Sequence, residues 1–268
     1  MRIEDVLEDR RCVVLTGAGV STDSGIPDYR GPGAPVRAPM TGQQFRSGPA
    51  AQQRYWARAY LGWSTMGAVQ PNRTHQLLAG FAEAGLVTGL ITQNVDGLHT
   101  AAGHRDVIDL HGRLDRVVCL GCGALSSRAD LQARLAELNP DFDATGLRVL
   151  PDGDVALEST AGFRVAHCPD CEGVLKPDVV FFGENVPTDR VADSYAQVDA
   201  AEAMLVLGSS LHVFSGRRFV KHAAARGIPI VIVNRGETRC DDLADLKIEA
   251  GCAETLSGYA TSVAALSN

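Results

Sequence analysis

The segment from Val13 to Arg30 constrains the fold of this chain more than any other. It begins with β-branched and apolar residues, which are typical of a buried strand, and then breaks at the turn Gly17-Ala18-Gly19. Because glycine has no Cβ, such a turn lets backbone N–H groups approach a phosphate closely. A strand, a glycine turn and a helix N-terminus together form a cradle for a pyrophosphate. Thr22 takes the place of the third glycine of the dinucleotide fingerprint, so the turn alone leaves nucleotide binding and a plain tight turn both open.

The second half of this segment, Ser24–Arg30, has no helical or strand period but concentrates Gly, Pro, Asp and Arg in a short stretch. Such a segment predicts an ordered loop whose polar groups face a ligand. Proline and glycine recur as far as Pro49, and a long loop of this kind is typical of a lid.

The composition is that of an ordinary soluble globular protein: 268 residues, 45% of them hydrophobic and 21% charged. This length suits one large domain or a domain with a sizeable insertion. The net charge of −7 argues against a general binder of nucleic acid or of anionic membranes, because both need a positive surface. The acidic N-terminus resembles no signal or transit peptide, and no apolar run approaches the ~20 residues that span a bilayer. We therefore expect a cytoplasmic protein, monomeric by default, that binds neither nucleic acid nor a membrane.

Short apolar runs alternate with helical periods along most of the chain. The expected strands are Cys12–Leu15, Leu86–Thr92, Val107–Leu110, Leu175–Glu184, Met204–Leu207 and Ile228–Val233. The expected helices include Ala50–Trp63, Thr188–Ala203, Gly216–Arg226 and Thr255–Leu266. This alternation predicts an α/β fold, a Rossmann-like parallel sheet covered by helices on both faces. Ligands of such sheets lie outside the carboxyl ends of the strands, and the polar clusters of this chain fall there.

Two Cys-x-x-Cys pairs are found among the seven cysteines. Each pair presents two thiolates from a tight turn, and two such turns complete a tetrahedral zinc site. An odd number of cysteines in a mid-sized chain favours metal binding in a reducing compartment over a disulfide scaffold. Four thiolates leave no open position for catalysis, so the predicted Zn²⁺ is structural; redox dithiols or free buried thiols would not need matched pairs. The predicted ligands are Cys119, Cys122, Cys168 and Cys171.

Two inserted modules are expected beside the sheet. Between the cysteine pairs, Ser127–Leu138 predicts a helix with Ser127 as its N-cap, and residues 140–162 read as an irregular polar excursion. Within Ala50–Trp63, aromatic residues at helical spacing predict the packing of a small helical module. Tyr55 and Arg58 share one face of that helix because they are three residues apart.

The order of these motifs resembles the sirtuins, the NAD-dependent protein deacylases, over nearly the whole chain. The segment from Gly17 to Arg30 resembles their NAD-binding signature with Tyr29 in place of Phe, and Ser209 replaces the commoner Thr. Further matching segments are residues 92–99, 111–112, 176–184 and 208–211, both cysteine pairs and Asn234. Residues 54–58, 151–154 and 176–184 and the long spacer between the cysteine pairs resemble the class II branch, which includes the mitochondrial lipoamidase-type sirtuin.

The resemblance implies a lysine deacylase that moves the acyl group to ADP-ribose and releases nicotinamide. In that mechanism the acyl amide oxygen attacks the nicotinamide ribose, and His111 then acts as general base on the ribose hydroxyls. A histidine suits this role because its pKa is ~6.5. The alternative is that His111 is a core histidine with satisfied hydrogen bonds and no catalytic role. The implied NAD-binding domain is 1–35, 71–115 and 175–268, with a helical module and lid at 36–70 and a zinc module at 116–174.

The resemblance also implies roles for particular residues. The pyrophosphate would be held by Gly17, Ala18, Gly19 and Ser209, with Gly208 and Ser210 in the same turn. Asp28, Tyr29 and Arg30 would form a cofactor loop, Gln93 would contact ribose, and Asn94 (also catalytic) and Asp96 would line the nicotinamide pocket. The adenosine side would be contacted by Asn234, Arg235, Gly236 and Cys252. The alternative for Cys252 is an inert buried thiol.

Protein substrates would bind as an added extended strand along Val180, Phe181, Phe182, Gly183, Glu184 and Val213. Tyr55 and Arg58 have the Tyr-x-x-Arg spacing with which the family's desuccinylases bind an acyl carboxylate, and an arginine fork suits that anion. The alternative for this pair is a helix-surface arginine beside a core tyrosine. Two rival functions stay open, protein mono-ADP-ribosyl transfer and a catalytically idle NAD-sensing partner protein.

Overall fold

A computed structural model describes residues 2–7, 10–28, 39–142 and 160–266. Its main sheet has six parallel strands in the order β3-β2-β1-β7-β8-β9. These strands are β1 Cys12–Thr16, β2 Val87–Thr92, β3 Val107–Asp109, β7 Ala203–Leu207, β8 Ile230–Val233 and β9 Leu246–Ile248. The order reverses between β1 and β7, as in doubly wound dinucleotide-binding folds. The predicted α/β class with a Rossmann-like parallel sheet is confirmed.

Helices cover both faces of this sheet. Those that pack on it are α1 Ile3–Leu7, α4 Arg73–Glu83 and α9 Cys252–Leu266 on one face and α7 Thr188–Ala200 and α8 Phe214–Arg226 on the other. The other helices of the described residues are α2 Gly42–Phe45, α3 Pro49–Met66, α5 Leu98–Ala101 and α6 Arg128–Leu138. Val14 packs into a core with α1, α4 and α9, whereas its neighbours Val13 and Leu15 pack into a second core with α7 and α8. Because both faces are covered, β1 is buried at every position and reads as a continuous apolar run.

A second, antiparallel sheet joins the cysteine-bearing segment to α3. It consists of β4 Gly112–Cys119, β5 Leu125–Ser127 and β6 Leu175–Val179, in the order β5-β4-β6. The side chain of Ser127 accepts hydrogen bonds from two backbone N–H groups of α6, which confirms the predicted N-cap. Trp56 of α3 is buried and its indole N–H donates to the carbonyl of Leu175 at 2.9 Å. The aromatic stripe of α3 therefore packs against this sheet and α6.

The prediction of one strand over Leu175–Glu184 is wrong. The strand ends at Val179 and pairs antiparallel with β4 in the small sheet. Beyond it the chain turns at Gly183, whose φ is +82°, and the Glu184 N–H closes the turn on the carbonyl of Phe181. The strand does not continue through the apolar run because the Phe181 ring packs in a cluster with Phe45 and Tyr55 and so leaves the alternating pattern of a strand.

Several other elements differ from the sequence-based expectation. The glycine turn leads into a 3₁₀ helix, Ala18–Ser24, and the region expected to be loop before Pro49 contains α2, whose N-terminus at Thr41 carries a capping box. The strand β9 was not expected, because it is short and half-buried. Helix α7 ends at Ala200 because Ala203 already pairs within the sheet. Among the described residues, no helix is both long and apolar enough to cross a membrane.

Candidate active site

The turns after β1 and β7 interlock at the carboxyl edge of the sheet. The N–H of Gly19 donates to the carbonyl of Gly208 at 2.8 Å. A Cβ on Gly19 would lie 2.8 Å from the Cα of Gly208, and a Cβ on Gly17 would lie 2.8 Å from the Gly208 carbonyl oxygen. Gly208 itself has a φ of +58°, in the left-handed region. The N–H groups of Gly17 and Gly19 donate within the chain, to the carbonyls of Leu207 and Gly208, so the close approach of the two turns requires these glycines. A glycine turn that leads from a strand into a helix N-terminus at the carboxyl edge of a parallel sheet is the arrangement that fits a pyrophosphate, so the residues present fit NAD.

The side chains next to this cradle form one hydrogen-bonded group. The amide nitrogen of Asn94 donates to the carbonyl of Gly17 at 3.1 Å and to the hydroxyl of Ser21 at 3.0 Å. That hydroxyl donates to Asp96 at 2.7 Å, and the other carboxylate oxygen of Asp96 accepts from the N–H of Leu98. Asn94 is buried. The structure thus brings together the residues predicted to line the nicotinamide pocket, and it adds Ser21, which belongs to the matched segment Gly17–Arg30 but had been assigned no role.

Gln93 links the two turns through its side chain. Its amide nitrogen donates to the hydroxyl of Ser209 at 2.8 Å, and that hydroxyl also accepts from the N–H of Leu211. A Cβ on Gly216 would lie 2.5 Å from the amide oxygen of Gln93, so the start of α8 approaches this side chain closely. Gln93 and Ser209, predicted to contact the same cofactor, are therefore held in direct contact.

His111 follows β3 and is held at both ring nitrogens. Its Nδ1 lies 2.8 Å from the carbonyl oxygen of Gln93, which can only accept, so Nδ1 carries the proton. Nε2 is then the lone-pair nitrogen and accepts from the hydroxyl of Ser215 at 2.7 Å. Burial lowers the pKa of His111, with Arg190 acting in the same direction and the Gln93 hydrogen bond opposing it. The imidazole is therefore neutral near pH 7, with its basic nitrogen on the side of α8.

A buried chain of hydroxyls supports this edge of the sheet. Thr16 donates its hydroxyl proton to Thr92 at 2.8 Å, and Thr92 in turn accepts from the backbone N–H of Asn94 at 3.1 Å. The Nε2 of His99 lies 2.9 Å from the Thr16 oxygen and must donate to it, because the hydroxyl proton is already used. Burial lowers the pKa of His99 well below its usual value, and the neighbouring His75 acts in the same direction. His99 is accordingly a neutral structural donor.

The predicted adenosine-side residues lie at the end of β8. The side chain of Asn234 donates to the carbonyls of Arg235 and Gly236, both at 3.0 Å, and so holds the turn closed. Cys252 is buried and burial raises the pKa of its thiol to about 12. A thiol with so high a pKa is unreactive, which agrees with the alternative that Cys252 is an inert buried thiol. A contact between Cys252 and adenosine stays a prediction.

Part of the predicted cofactor loop lies outside the described residues. Asp28 is the last described residue before that gap and is half-buried. Tyr29 and Arg30 fall within the gap, as do residues 151–154, on which part of the class II resemblance rests. Their predicted roles stay predictions.

Aromatic residues cluster next to the segment that is predicted to bind the substrate. The rings of Tyr55 and Phe181 lie 5.3 Å apart and that of Phe45 lies 5.4 Å from Tyr55. Tyr55 is buried, whereas Arg58 is half-buried with its Nε enclosed, so Arg58 is not a freely exposed surface arginine. Phe182 and Phe214, next to the proposed peptide-binding positions, are exposed by 45% and 55%.

The predicted peptide-binding segment is already partly hydrogen-bonded within the chain. The N–H of Val180 donates to the carbonyl of His111 at 2.8 Å, and the carbonyl of Phe182 accepts from the N–H of Gly42 at 3.0 Å. Val213 lies at the N-cap of α8, and its carbonyl accepts from the N–H of Arg217. A peptide strand at this place would therefore use only part of this backbone edge.

Lys176 is a charged residue of this region that the sequence had not marked by itself. It is buried, its ammonium lies 3.1 Å from Glu184 and 4.3 Å from the centre of the Phe181 ring, and it also donates to the carbonyl of Val179. Burial works to raise the pKa of Glu184, but hydrogen bonds from the Phe181 N–H and Lys176 outweigh it and the pKa is lowered. The pair fixes the turn that presents Phe181.

The four predicted metal ligands come together at the far end of β4. All four sulfur atoms lie within 4.8 Å of one another. The sulfurs of Cys119 and Cys171 are 3.5 Å apart and those of Cys122 and Cys168 are 3.8 Å apart. Four thiolates at a Zn–S distance of ~2.3 Å put the sulfur atoms about 3.8 Å apart, so the cluster fits a structural zinc ion. Disulfides are excluded, because their sulfurs would be ~2.05 Å apart.

Residues 17–215 match the model described as the Sir2 family. The chain belongs to the Sir2 family. A sirtuin of Mycobacterium avium (strain 104), named NAD-dependent protein deacetylase 1, is 58% identical over 257 residues, covering 94% of this chain and 91% of the relative. The relative of the same name from Streptomyces coelicolor is 54% identical over 250 residues, covering 92% and 84%.

Solved sirtuin structures share the fold along the chain. A Sir2 complex with a p53 peptide and NAD⁺ superposes with a TM-score of 0.80 at 33% identity, covering 97% of this chain and 96% of that one. A Sir2 complex with the inhibitor EX-527, 2′-O-acetyl-ADP-ribose and deacetylated p53 peptide has a TM-score of 0.77 at 32% identity, covering 97% of each chain. The expected sirtuin resemblance is thereby confirmed at the level of the family.

Proposed function

We propose that this sirtuin is an NAD-dependent protein-lysine deacetylase. One observation carries the proposal: the neutral imidazole of His111 is held by the carbonyl of Gln93 at the edge of the sheet that bears the glycine cradle. Relatives at 50–58% identity carry the name NAD-dependent protein deacetylase, and the solved complexes contain peptides, NAD and acetyl-ADP-ribose. These names support the same reaction for this chain.

When bound, NAD supplies a ribose carbon that accepts the acyl oxygen as nicotinamide leaves. The residues of the chain do the rest. The cradle at Gly17 and Gly19 positions the pyrophosphate, and Asp96, held by Ser21, accepts a hydrogen bond from the carboxamide. His111 removes a proton from a ribose hydroxyl through Nε2, the nitrogen that Ser215 now occupies. Its Nδ1–H stays on the Gln93 carbonyl, which stabilises the imidazolium that forms.

The acylated polypeptide is proposed to bind as an extended strand between the turn after β6 and the start of α8. Exposed Phe182 and Phe214 lie next to these two positions and offer apolar surface for its side chains. The zinc module, residues 116–174, serves as a scaffold in this proposal. Residues 1–35, 71–115 and 175–268 are proposed to form the NAD-binding domain, and residues 36–70 the helical module and lid.

A finer proposal concerns the acyl group. The buried Tyr55 and the half-buried Arg58 lie on one face of α3, and the Tyr55 ring touches Phe181. We propose that this pair lets negatively charged or branched acyl groups be accepted better than acetyl, as the class II resemblance suggests. A panel of peptides bearing acetyl, succinyl, glutaryl, lipoyl and branched acyl-lysine tests it, with Arg58→Met as the variant. Acetyl as the fastest substrate, unchanged in the variant, would remove this finer proposal and leave deacetylation intact.

The experiment that tests the main proposal is nicotinamide release from NAD by wild type and His111→Ala, with and without acetyl-lysine peptide. Release that needs the peptide and is lost in the variant supports deacetylation. Labelling of protein by NAD without any acyl-lysine indicates ADP-ribosyl transfer instead. Binding of NAD with neither activity indicates the NAD-sensing alternative, and either result contradicts the proposal.

A further inference from the structure

Helix α8 carries an unusual concentration of positive charge for a chain with a net charge of −7. Residues 214–226 contain three arginines and one lysine and no aspartate or glutamate. Arg217 and Lys221 are four residues apart and so project from one face, where like charges repel each other. Their proximity is therefore unfavourable by itself and calls for an anionic partner.

The two faces of α8 differ in how their charges are compensated. On the face toward α7, His222 lies 2.7 Å and Arg226 lies 3.3 Å from Asp199, so both have a carboxylate partner. On the other face, within the part of the chain that the structure describes, neither Arg217 nor Lys221 forms an ion pair. The Nε of Arg217 is enclosed and has no hydrogen-bond partner there.

This second face forms one wall of an open groove of about 550 Å³. The opposite wall contributes Arg239, whose Nε donates to His212 at 3.2 Å, and a single acid, Asp242. Three cationic side chains thus surround a groove that holds one carboxylate. Its chemistry suits an occupant with several carboxylates.

The groove begins one helical turn from the proposed peptide site. The N–H of Arg217 donates to the carbonyl of Val213, so Arg217 lies one helical turn beyond the position proposed to clamp the peptide. Lys221 lies one turn further, which amounts to ~12 Å along the helix axis from Val213. An extended peptide rises ~3.3 Å per residue. A peptide flank that runs along α8 would therefore reach these charges two to four residues from the acyl-lysine.

We propose that this groove, bounded by Arg217, Lys221 and Arg239, is a specificity site that binds acidic residues flanking the acyl-lysine of the protein substrate. This inference rests on the proposed function, since it takes Val213 as part of the peptide site. Because the groove is open to solvent, the contribution of each ion pair is modest and screened by salt. The groove selects among substrates and takes no part in the chemical steps.

The test compares acetyl-lysine peptides whose flanking positions two to four residues away hold glutamates, glutamines or lysines, on either the N-terminal or the C-terminal side. The proteins are wild type, Arg217→Gln/Lys221→Gln, and the control Arg105→Gln/Arg164→Gln, which removes two exposed positive charges elsewhere. Peptide binding is measured by fluorescence anisotropy without NAD, and kcat/KM by nicotinamide release.

We expect wild type to bind the glutamate peptide about fivefold more tightly than the glutamine peptide on one flank, as two exposed ion pairs would give. The preference should fall below about twofold in the Arg217/Lys221 variant and at ~0.5 M salt, and should persist in the control. Equal binding of all peptides by wild type, or equal loss in both variants, would overturn the inference. Loss of glutamine-peptide binding in the Arg217/Lys221 variant would also overturn it, since the groove would then be structural. A binding preference without any turnover would contradict the proposed function and leave the groove standing.

Discussion

The proposed cofactor end of the site consists of backbone contacts, whereas the proposed substrate end consists of side-chain contacts. At the cofactor end backbone meets backbone: the turns of Gly19 and Gly208 interlock so closely that a Cβ on Gly19 would lie 2.8 Å from the neighbouring Cα. At the substrate end, the Lys176–Glu184 ion pair and the Phe181 ring, packed on Tyr55, set the geometry. A backbone cradle accepts no added atom, whereas side-chain contacts can be exchanged one at a time. The first end is therefore suited to one invariant ligand and the second to substrates that vary.

Loss of zinc should have the largest effect, and it should affect the proposed substrate end and not the proposed cofactor end. Cys168→Ser removes one of four clustered thiolates, so zinc is lost and the small sheet, with β6 and Phe181, loses its anchor. We expect peptide turnover to be abolished while NAD still binds, because the cradle belongs to the parallel sheet. Metal analysis, turnover and NAD titration measure these three effects. Asp170→Ser, an exposed change between the same two cysteines, should keep zinc and activity; loss of NAD binding in Cys168→Ser would show that the two ends are not separable.

Gly19→Ala tests the cofactor end directly. The added methyl would meet the Gly208 Cα and carbonyl oxygen at 2.8 Å, so the two turns must separate. A displacement on the order of 1 Å in a positioned site lowers the rate about 100-fold, and we expect NAD affinity to fall by a similar factor. Gly80→Ala on α4 is the matched control, since its Cβ would meet no heavy atom within 4 Å. NAD titration checks both, and unchanged affinity in Gly19→Ala would contradict the backbone account.

Lys176→Met tests the substrate end. It leaves Glu184, which is partly exposed, without its closest cation, and we expect unfolding to become easier by about 1–2 kcal/mol. The KM for peptide should rise more than the KM for NAD, because Phe181 loses its support. Adding Glu184→Gln should recover part of the stability, since it removes a half-buried carboxylate whose remaining cationic partner is Arg46 at 3.3 Å. As a control, Lys247→Met breaks the more exposed pair with Asp241 and should change stability by less than about 1 kcal/mol. Thermal denaturation measures the changes in stability, and steady-state kinetics measures the two KM values.

The smallest expected effect is a shift in pH dependence. Burial keeps the pKa of His111 below its usual 6.5, so kcat/KM should hold its plateau down through pH 6.5 and fall only at lower pH, as the imidazole takes up a proton. The hydroxyl of Ser215 donates to the neutral ring, so Ser215→Ala should raise this pKa and move the acid limb to higher pH. pH–rate profiles of both proteins measure it. An acid limb above pH 6.5 in wild type would contradict the assignment.

The same depression of pKa has a consequence for stability. Burial also lowers the pKa values of His75, His99 and His104, so these rings are neutral in the folded protein. Their contribution to the free energy of unfolding is fully present above pH ~6.5, where the unfolded chain is neutral as well, and is lost as the pH falls through the lowered values. Acid should therefore destabilise the fold before it protonates most carboxylates.

The sequence predicts most of what depends on local pattern. Apolar runs fix the parallel strands, as β1 illustrates, and the spacing of Cys119, Cys122, Cys168 and Cys171 predicts a cluster that the fold assembles. The placement of Asn94 next to Gly17 also follows, because both lie at the carboxyl ends of neighbouring strands.

What the sequence does not predict depends on tertiary contacts. The run from Leu175 to Glu184 has the apolar content of a strand, and only the packing of Phe181 on Tyr55 divides it. Ser215 carries no local signal, because its hydroxyl meets His111 across 104 residues of sequence. Lys176 appears ordinary until its burial beside Glu184 is seen.

We propose that the neutral imidazole of His111 directs the acyl group onto the sugar of NAD. Mass spectrometry of the products, using a peptide with a ¹³C-labelled acetyl-lysine, tests it most directly. We expect wild type to place the label on ADP-ribose, one equivalent for each nicotinamide released, and His111→Ala to form no such product while retaining its bound zinc. Label found as free acetate from the outset, or acetyl-ADP-ribose formed equally by His111→Ala, would contradict it.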